Sequence, residues 1–196
     1  MKTDIILAGV GGQGILSIAA AIGTAALNNE LYIKQAETHG MSQRGGAVVS
    51  HLRISDKPIY SDLISEGEAD LILAVEPLEA LRYLPYLATK GYIVTNTTPF
   101  VNIPDYPTAE EIMKQLHQQT HLVAIDADKV AEDLGNKLAS NMVMLGAAAR
   151  FLNHIDLTAL EKGIAELFSR KGEEVVKANV DAIHAGKTLV DKQFQD

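Results

Sequence analysis

The chain contains no cysteine. That absence excludes a thiolate-held iron–sulfur cluster, a disulfide framework and a cysteine nucleophile, so if electrons move, the redox centres sit on a partner. No lysine- or arginine-rich run is present and the formal net charge is −8, which argues against a nucleic-acid module. No apolar run approaches the length of a bilayer span, and the opening Met1-Lys2-Thr3-Asp4 lacks the apolar core of a secretion signal. No membrane partner and a cytoplasmic location are therefore expected. Internal repeats, low-complexity stretches and linkers are lacking, and the six histidines form no H-E-x-x-H. What remains is 196 residues with 47% apolar content, which fits a single domain spanning residues 1–196 with a sizeable core.

Two glycine-rich loops stand out against that background. Gly9-x-Gly11-x-x-Gly14 follows the apolar run Asp4-Ile5-Ile6-Leu7-Ala8 and opens a helical pattern at Ile15. In a strand–turn–helix setting, glycines allow a tight turn and the helix N-terminus attracts phosphate. A dinucleotide site also needs an acid at the end of the second strand to hold the ribose. The second strand, read as Leu31-Tyr32-Ile33-Lys34-Gln35, ends in Lys34 and Gln35, with Glu37 two residues into the loop. The fingerprint is incomplete, and the glycines could equally serve only a turn and close helix packing.

The second loop, Glu37-Thr38-His39-Gly40-Met41-Ser42-Gln43-Arg44-Gly45-Gly46, sets an arginine before two glycines. A guanidinium can grip a phosphate or carboxylate bidentately while glycines admit close approach of a ligand or chain. Such a contact is worth roughly 1.5–3 kcal/mol when water is excluded. The plainer alternative is an Arg44–Glu37 ion pair that ties the loop down. Gly40-Met41-Ser42-Gln43-Arg44 is one residue short of a nucleophile elbow, and an extended run follows where a hydrolase needs a helix. His39 and His51 lack metal-ligand spacing and read as surface or interface residues. Glu76 before Pro77 reads as a carboxylate at a helix N-terminus.

Gly11-Gly12-Gln13-Gly14, residues 35–46, His51-Leu52-Arg53-Ile54-Ser55, Ala69-Asp70-Leu71-Ile72-Leu73-Ala74, Glu76-Pro77 and Asn141-Met142-Val143-Met144-Leu145-Gly146 occur in that order. Together they resemble the gamma subunit or domain of the 2-oxoacid:ferredoxin oxidoreductases, from Thr3 to Lys187. The second loop is most similar to the small (beta) subunit of the indolepyruvate branch. The resemblance implies a subunit that is inactive alone and binds no cofactor by itself. A large (alpha) subunit would carry thiamine diphosphate and iron–sulfur clusters. The assembled enzyme would decarboxylate a 2-oxoacid, here an arylpyruvate such as indolepyruvate, to the acyl-coenzyme A and pass electrons to ferredoxin. This chain would complete the substrate and coenzyme A side. Its candidate binding residues are then Gly11, Gly12, Gln13, Gly14, Glu37, Ser42, Arg44, Gly45 and Gly46, with none catalytic and none binding metal. The reading left open beside it is a stand-alone nucleotide-binding protein of NAD or FAD type built on the same glycine loop.

Alternation of strands and helices predicts an α/β fold: a Rossmann-like open, mostly parallel sheet flanked by helices, with an edge hairpin and a helical C-terminal segment. Residues 47–54, alternating apolar and polar, read as a hairpin with 58–60 at a sheet edge. Residues 71–75, 92–95 and 122–126 read as strands, and helices are expected from Glu76-Pro77 through Ala88 and over 109–118. The remainder reads as helices at 127–134, 141–152, 157–168 and 172–187, with Ser140 or Asn141 capping the second. Loops 10–14, 36–46, 76–77 and 95–98 all follow expected strands, so all could share the rim where open parallel sheets bind ligands.

Overall fold

The computed structural model describes residues 1–39 and 45–194, without the side chain of His39. Among them, six strands form one sheet in the order β2-β3-β1-β4-β5-β6. These are β1 (Lys2–Val10), β2 (Tyr32–His39), β3 (Ala47–Ser55), β4 (Ala69–Ala74), β5 (Leu87–Asn96) and β6 (Leu122–Ile125). β1, β4, β5 and β6 are parallel, while β3 runs antiparallel between β1 and β2. The mostly parallel α/β sheet expected from the sequence is present.

Helices cover both faces, which is why β1 and β4 are near-continuous apolar runs. α1 (Ile15–Asn28), α4 (Ala127–Asp133), α5 (Ser140–Ala148), α6 (Leu157–Phe168) and α7 (Glu173–Gln193) share the larger core with Ile5, Leu7, Leu71 and Leu73. α2 (Pro77–Arg82) and α3 (Ala109–Leu116) bury Ile112 and Leu116 on the other face, against Ile6, Ile72 and Ile93. Ile18 and Ile22 of α1 are almost fully buried, each worth roughly 1.5–3 kcal/mol in transfer terms. α5 and α7 cross backbone to backbone: a Cβ on Gly146 would lie 2.0 Å from the Ile183 carbonyl oxygen, and one on Gly186 2.0 Å from that of Val143. α7 packs on the chain's own core, burying Ala182, Ile183 and Val190.

Four local expectations are corrected. β2 runs on to His39, so Lys34 and Gln35 are mid-strand and Glu37 lies within the strand. The hairpin partner of β3 is β2, not 58–60, which form neither helix nor strand. Pro58 has no N–H for a ladder, whereas β2 supplies eight residues in register. α2 stops at Arg82; a 3₁₀ turn at Leu84–Tyr86 holds Pro85, which cannot continue an α-helix. The rest of the span expected to be helical is the start of β5. Finally, neither Ser140 nor Asn141 caps α5; its N-cap position is Ala139 and carries no side-chain cap bond.

Candidate functional site

β1 delivers the first glycine loop to the carboxyl rim of the sheet. Gln13 folds back on it: its N–H donates to the Val10 carbonyl at 3.1 Å, and its Oε1 accepts from the Val10 N–H at 2.8 Å. Gly14 occupies the N-cap position of α1 with φ +80, in the left-handed region. A Cβ there would sit 2.3 Å from Asn141 Nδ2. That amide donates to the Gly14 carbonyl at 3.2 Å, so Asn141 closes the loop from α5.

The second loop meets the first through the backbone. The Gly11 N–H donates to the Gly46 carbonyl at 2.8 Å and the Gly45 N–H to the Gly11 carbonyl at 3.3 Å. Asn102 Nδ2 donates to the Gly45 carbonyl at 2.7 Å, joining a third segment. The amides of Gly11 and Gln13 are thus bound to protein carbonyls, which takes two donors from any phosphate cradle. Ser42 and Arg44 lie outside the described residues, as do the anion grip and the Arg44–Glu37 pair. Glu37 stands opposite Ser50 of β3, which stands opposite Leu7 of β1, so its side chain faces the α1 layer.

Lys34 and Gln35 do not end the second strand, so they do not stand where a ribose-holding acid would. β3 separates β2 from β1, so the β2 terminus is not beside the glycine loop in the way a dinucleotide fold requires.

β4 ends in Ala74, and Val75 N–H continues the ladder to the Ala8 carbonyl. Glu76, 1% exposed, caps α2 as the sequence indicated: Oε2 accepts from the Glu79 N–H at 2.9 Å. Its Oε1 also accepts from the Phe100 N–H at 3.2 Å and from the Tyr106 hydroxyl. Burial first, and the bond to Glu76 second, push the Tyr106 phenol well above its usual range, so it stays a donor. Burial likewise pushes the Glu79 carboxyl up, opposed by its bond to Arg82.

β5 ends in Asn96, a buried amide whose Nδ2 donates to Asp128 at 2.9 Å and whose Oδ1 accepts from the Ala127 N–H at 3.0 Å. Beyond it a cavity of about 220 Å³ is lined by Gln13, Val75, Asn96, Thr98, Pro99, Phe100, Asp128, Ser140 and Met144. A charged trough at Asp126, Lys129, Glu132 and Lys137 adjoins it through Thr98 and Asp128. Of the four loops expected on one rim, 10–14, 45–46, 76 and 96–102 are linked by these bonds. The sequence reading missed Asn96, Asn102, Tyr106 and the loop-closing role of Asn141. Asn141 lay inside a singled-out motif, and Asn96 closes an apolar strand; both were signals.

His51 is not a surface residue: it is 8% exposed, accepts from the Ile64 N–H through Nδ1 at 3.1 Å and meets Tyr86 edge-on. A histidine on the buried face of a central strand cannot be told from an exposed one by spacing alone. Among the described residues no three acidic or histidine side chains converge as a metal site, and no helix is long and apolar enough to cross a membrane.

The family model for pyruvate ferredoxin/flavodoxin oxidoreductase matches residues 4–189. The chain is 40% identical over 152 residues to the indolepyruvate oxidoreductase subunit IorB of Pyrococcus horikoshii, covering 74% of this chain and 75% of that one. It is 35% identical over 194 residues to the IorB of Archaeoglobus fulgidus, covering 95% and 94%. A solved 2-oxoglutarate:ferredoxin oxidoreductase from Magnetococcus marinus, with 2-oxoglutarate, coenzyme A and succinyl-CoA bound, shares the fold at a TM-score of 0.76 and 24% identity. That match covers 97% of this chain and 31% of the longer protein.

Proposed function

Because the chain belongs to the pyruvate ferredoxin/flavodoxin oxidoreductase family, we propose that it is the small subunit of a cytoplasmic 2-oxoacid:ferredoxin oxidoreductase acting on indolepyruvate or a related arylpyruvate. The reaction is oxidative decarboxylation to the acyl-coenzyme A, with electrons passed to ferredoxin. The observation that carries this reading is the rim. Two glycine loops are fastened to each other there, beside a cavity of about 220 Å³, below the roughly 300–1,000 Å³ of a site that encloses a whole ligand. Such a rim is one wall of a site that another chain completes.

The chain itself does not fit the redox groups. With no cysteine it offers no thiolate to a cluster; in this reading the large subunit carries the iron–sulfur clusters and the thiamine diphosphate. This chain's part is to hold and orient. Gly11, Gly12, Gln13, Gly14, Gly45 and Gly46 present close backbone to coenzyme A or to the partner, and Glu37, Ser42 and Arg44 supply the polar contacts. The coenzyme A bound in the Magnetococcus protein supports that assignment.

The free chain is expected to be colourless and to oxidise no 2-oxoacid, while adding the large subunit restores thiamine- and ferredoxin-dependent turnover. Turnover by the free chain above the buffer rate would overturn the reading. Arg44→Ala should lower turnover or assembly and leave the melting temperature of the free chain nearly unchanged. A fall of several degrees would instead favour an ion pair tying the loop down.

A further inference from the structure

Residues 97–108, between β5 and α3, form neither helix nor strand, yet Thr98, Pro99 and Phe100 wall the cavity. At its far end Thr108 and Glu111 form the capping box of α3; before that, among the described residues, the bonds that hold this strap to the body are few. Thr97 N–H reaches the Ile125 carbonyl and the Thr98 hydroxyl reaches Asp126 at its base. Beyond them come Asn102 to Gly45, and then the Phe100 N–H and Tyr106 hydroxyl, both on Oε1 of Glu76. One buried carboxylate therefore serves two elements, capping α2 with one oxygen and gripping the strap at two points with the other. Hydrogen bonds to a carboxylate are about twice as strong as neutral ones, and Glu76 is shielded from water.

We propose that Glu76 is a positioning residue, whose carboxylate latches the 97–108 strap to the α2 N-terminus and so fixes the cavity wall before a ligand arrives. It touches no reacting atom; it acts through Phe100 and Tyr106.

Two variants separate the latch from the cap. Tyr106→Phe deletes one latch bond and leaves the cap intact. Glu76→Ser keeps a good capping side chain but is too short to reach the strap. Hydrogen exchange on the free chain should show the Phe100 amide, the one in the strap whose N–H is bound to Glu76, exchanging about tenfold faster or more in both. In Tyr106→Phe, the amides of Leu78–Arg82 should stay unchanged. If neither variant speeds exchange in the strap, there is no latch, whatever the chain does. The second arm rests on the subunit reading. In the complex rebuilt with the large subunit, Tyr106→Phe should raise KM for coenzyme A or the 2-oxoacid about two- to tenfold, with kcat within about twofold. Faster strap exchange with both constants unchanged would overturn the positioning role. The exchange arm needs no activity, so its result stands apart from whether the complex turns over.

Discussion

The two ends of the sheet handle polar groups in opposite ways. At the amino end of β1, Asp4 is fully buried and its charge is matched by charge. Arg53 Nε lies 2.9 Å from Oδ1, Arg53 Nη2 3.0 Å from Oδ2, and Lys2 Nζ 2.8 Å from Oδ2. Arg53 goes on to the carbonyls of Ser61 and Leu63, and the Asp4 N–H to Asp70. At the carboxyl end the buried carboxylate of Glu76 is held by backbone N–H groups and a hydroxyl rather than by a cation, glycines take left-handed conformations, and a cavity opens between the loops. Charges at the first end answer to one another and leave nothing for a ligand. Damage there should appear as lost folding, and damage at the other end as lost binding or assembly.

The sharpest way to break that contrast is Asp4→Ala. It strands a largely buried guanidinium, whose side chain is only 16% exposed, and breaking a buried pair costs about 3–5 kcal/mol. For a chain of this length the expected fall in Tm is about 10 °C, measured by thermal melting. A loss under about 1 kcal/mol would mean that Lys2 and Arg53 simply turn to water, and the amino end would not be the stabilising one.

At the carboxyl end the largest structural effect should come from Gly14→Ala. Its φ of +80 strains any Cβ, and that Cβ meets Asn141 Nδ2 at 2.3 Å. A cost of about 2 kcal/mol is expected, with loss of assembly beyond what the stability change explains. Asn141→Ala removes the clash, so Gly14→Ala should cost about 1 kcal/mol less in that background. Strict additivity in the denaturant midpoints would show that Asn141 does not set the loop.

The same contrast explains what the sequence made legible. Both glycine loops, the apolar strands and α6 could be read because period and composition act locally; α6 spans Leu157–Phe168 as expected. Misreadings arose where a distant partner decides. β2 extends past Gln35 because β3 offers it a ladder. Residues 58–60 form no strand because β3 already has β1 and β2 on its two edges. Asn141 looked like a helix cap until Gly14, 127 residues away in sequence, claimed its amide. Glu76 was read correctly as a cap, yet its grip on the strap depends on Phe100 and Tyr106, which nothing local to α2 announces.

The smallest expected effect belongs to His51, which sits between the two ends. Burial, and then the nearby Arg53 charge, hold its pKa below the usual histidine value, and its Nδ1 must stay unprotonated to accept from Ile64 N–H. Above a pH of about 6.5 the residue is neutral in both folded and unfolded chains and contributes no pH dependence. As pH falls below that, the unfolded chain takes up the proton first, so stability drops until the lowered folded pKa is reached and then levels off. The chain holds five other histidines, so the readout is a difference: urea midpoints of the parent and of His51→Gln, followed from pH 7.5 to 5. The parent should lose more stability over that window than the variant. Parallel curves would mean that His51 takes up its proton at the same pH in the folded and unfolded chains, and the ring's burial would then carry no acid sensitivity.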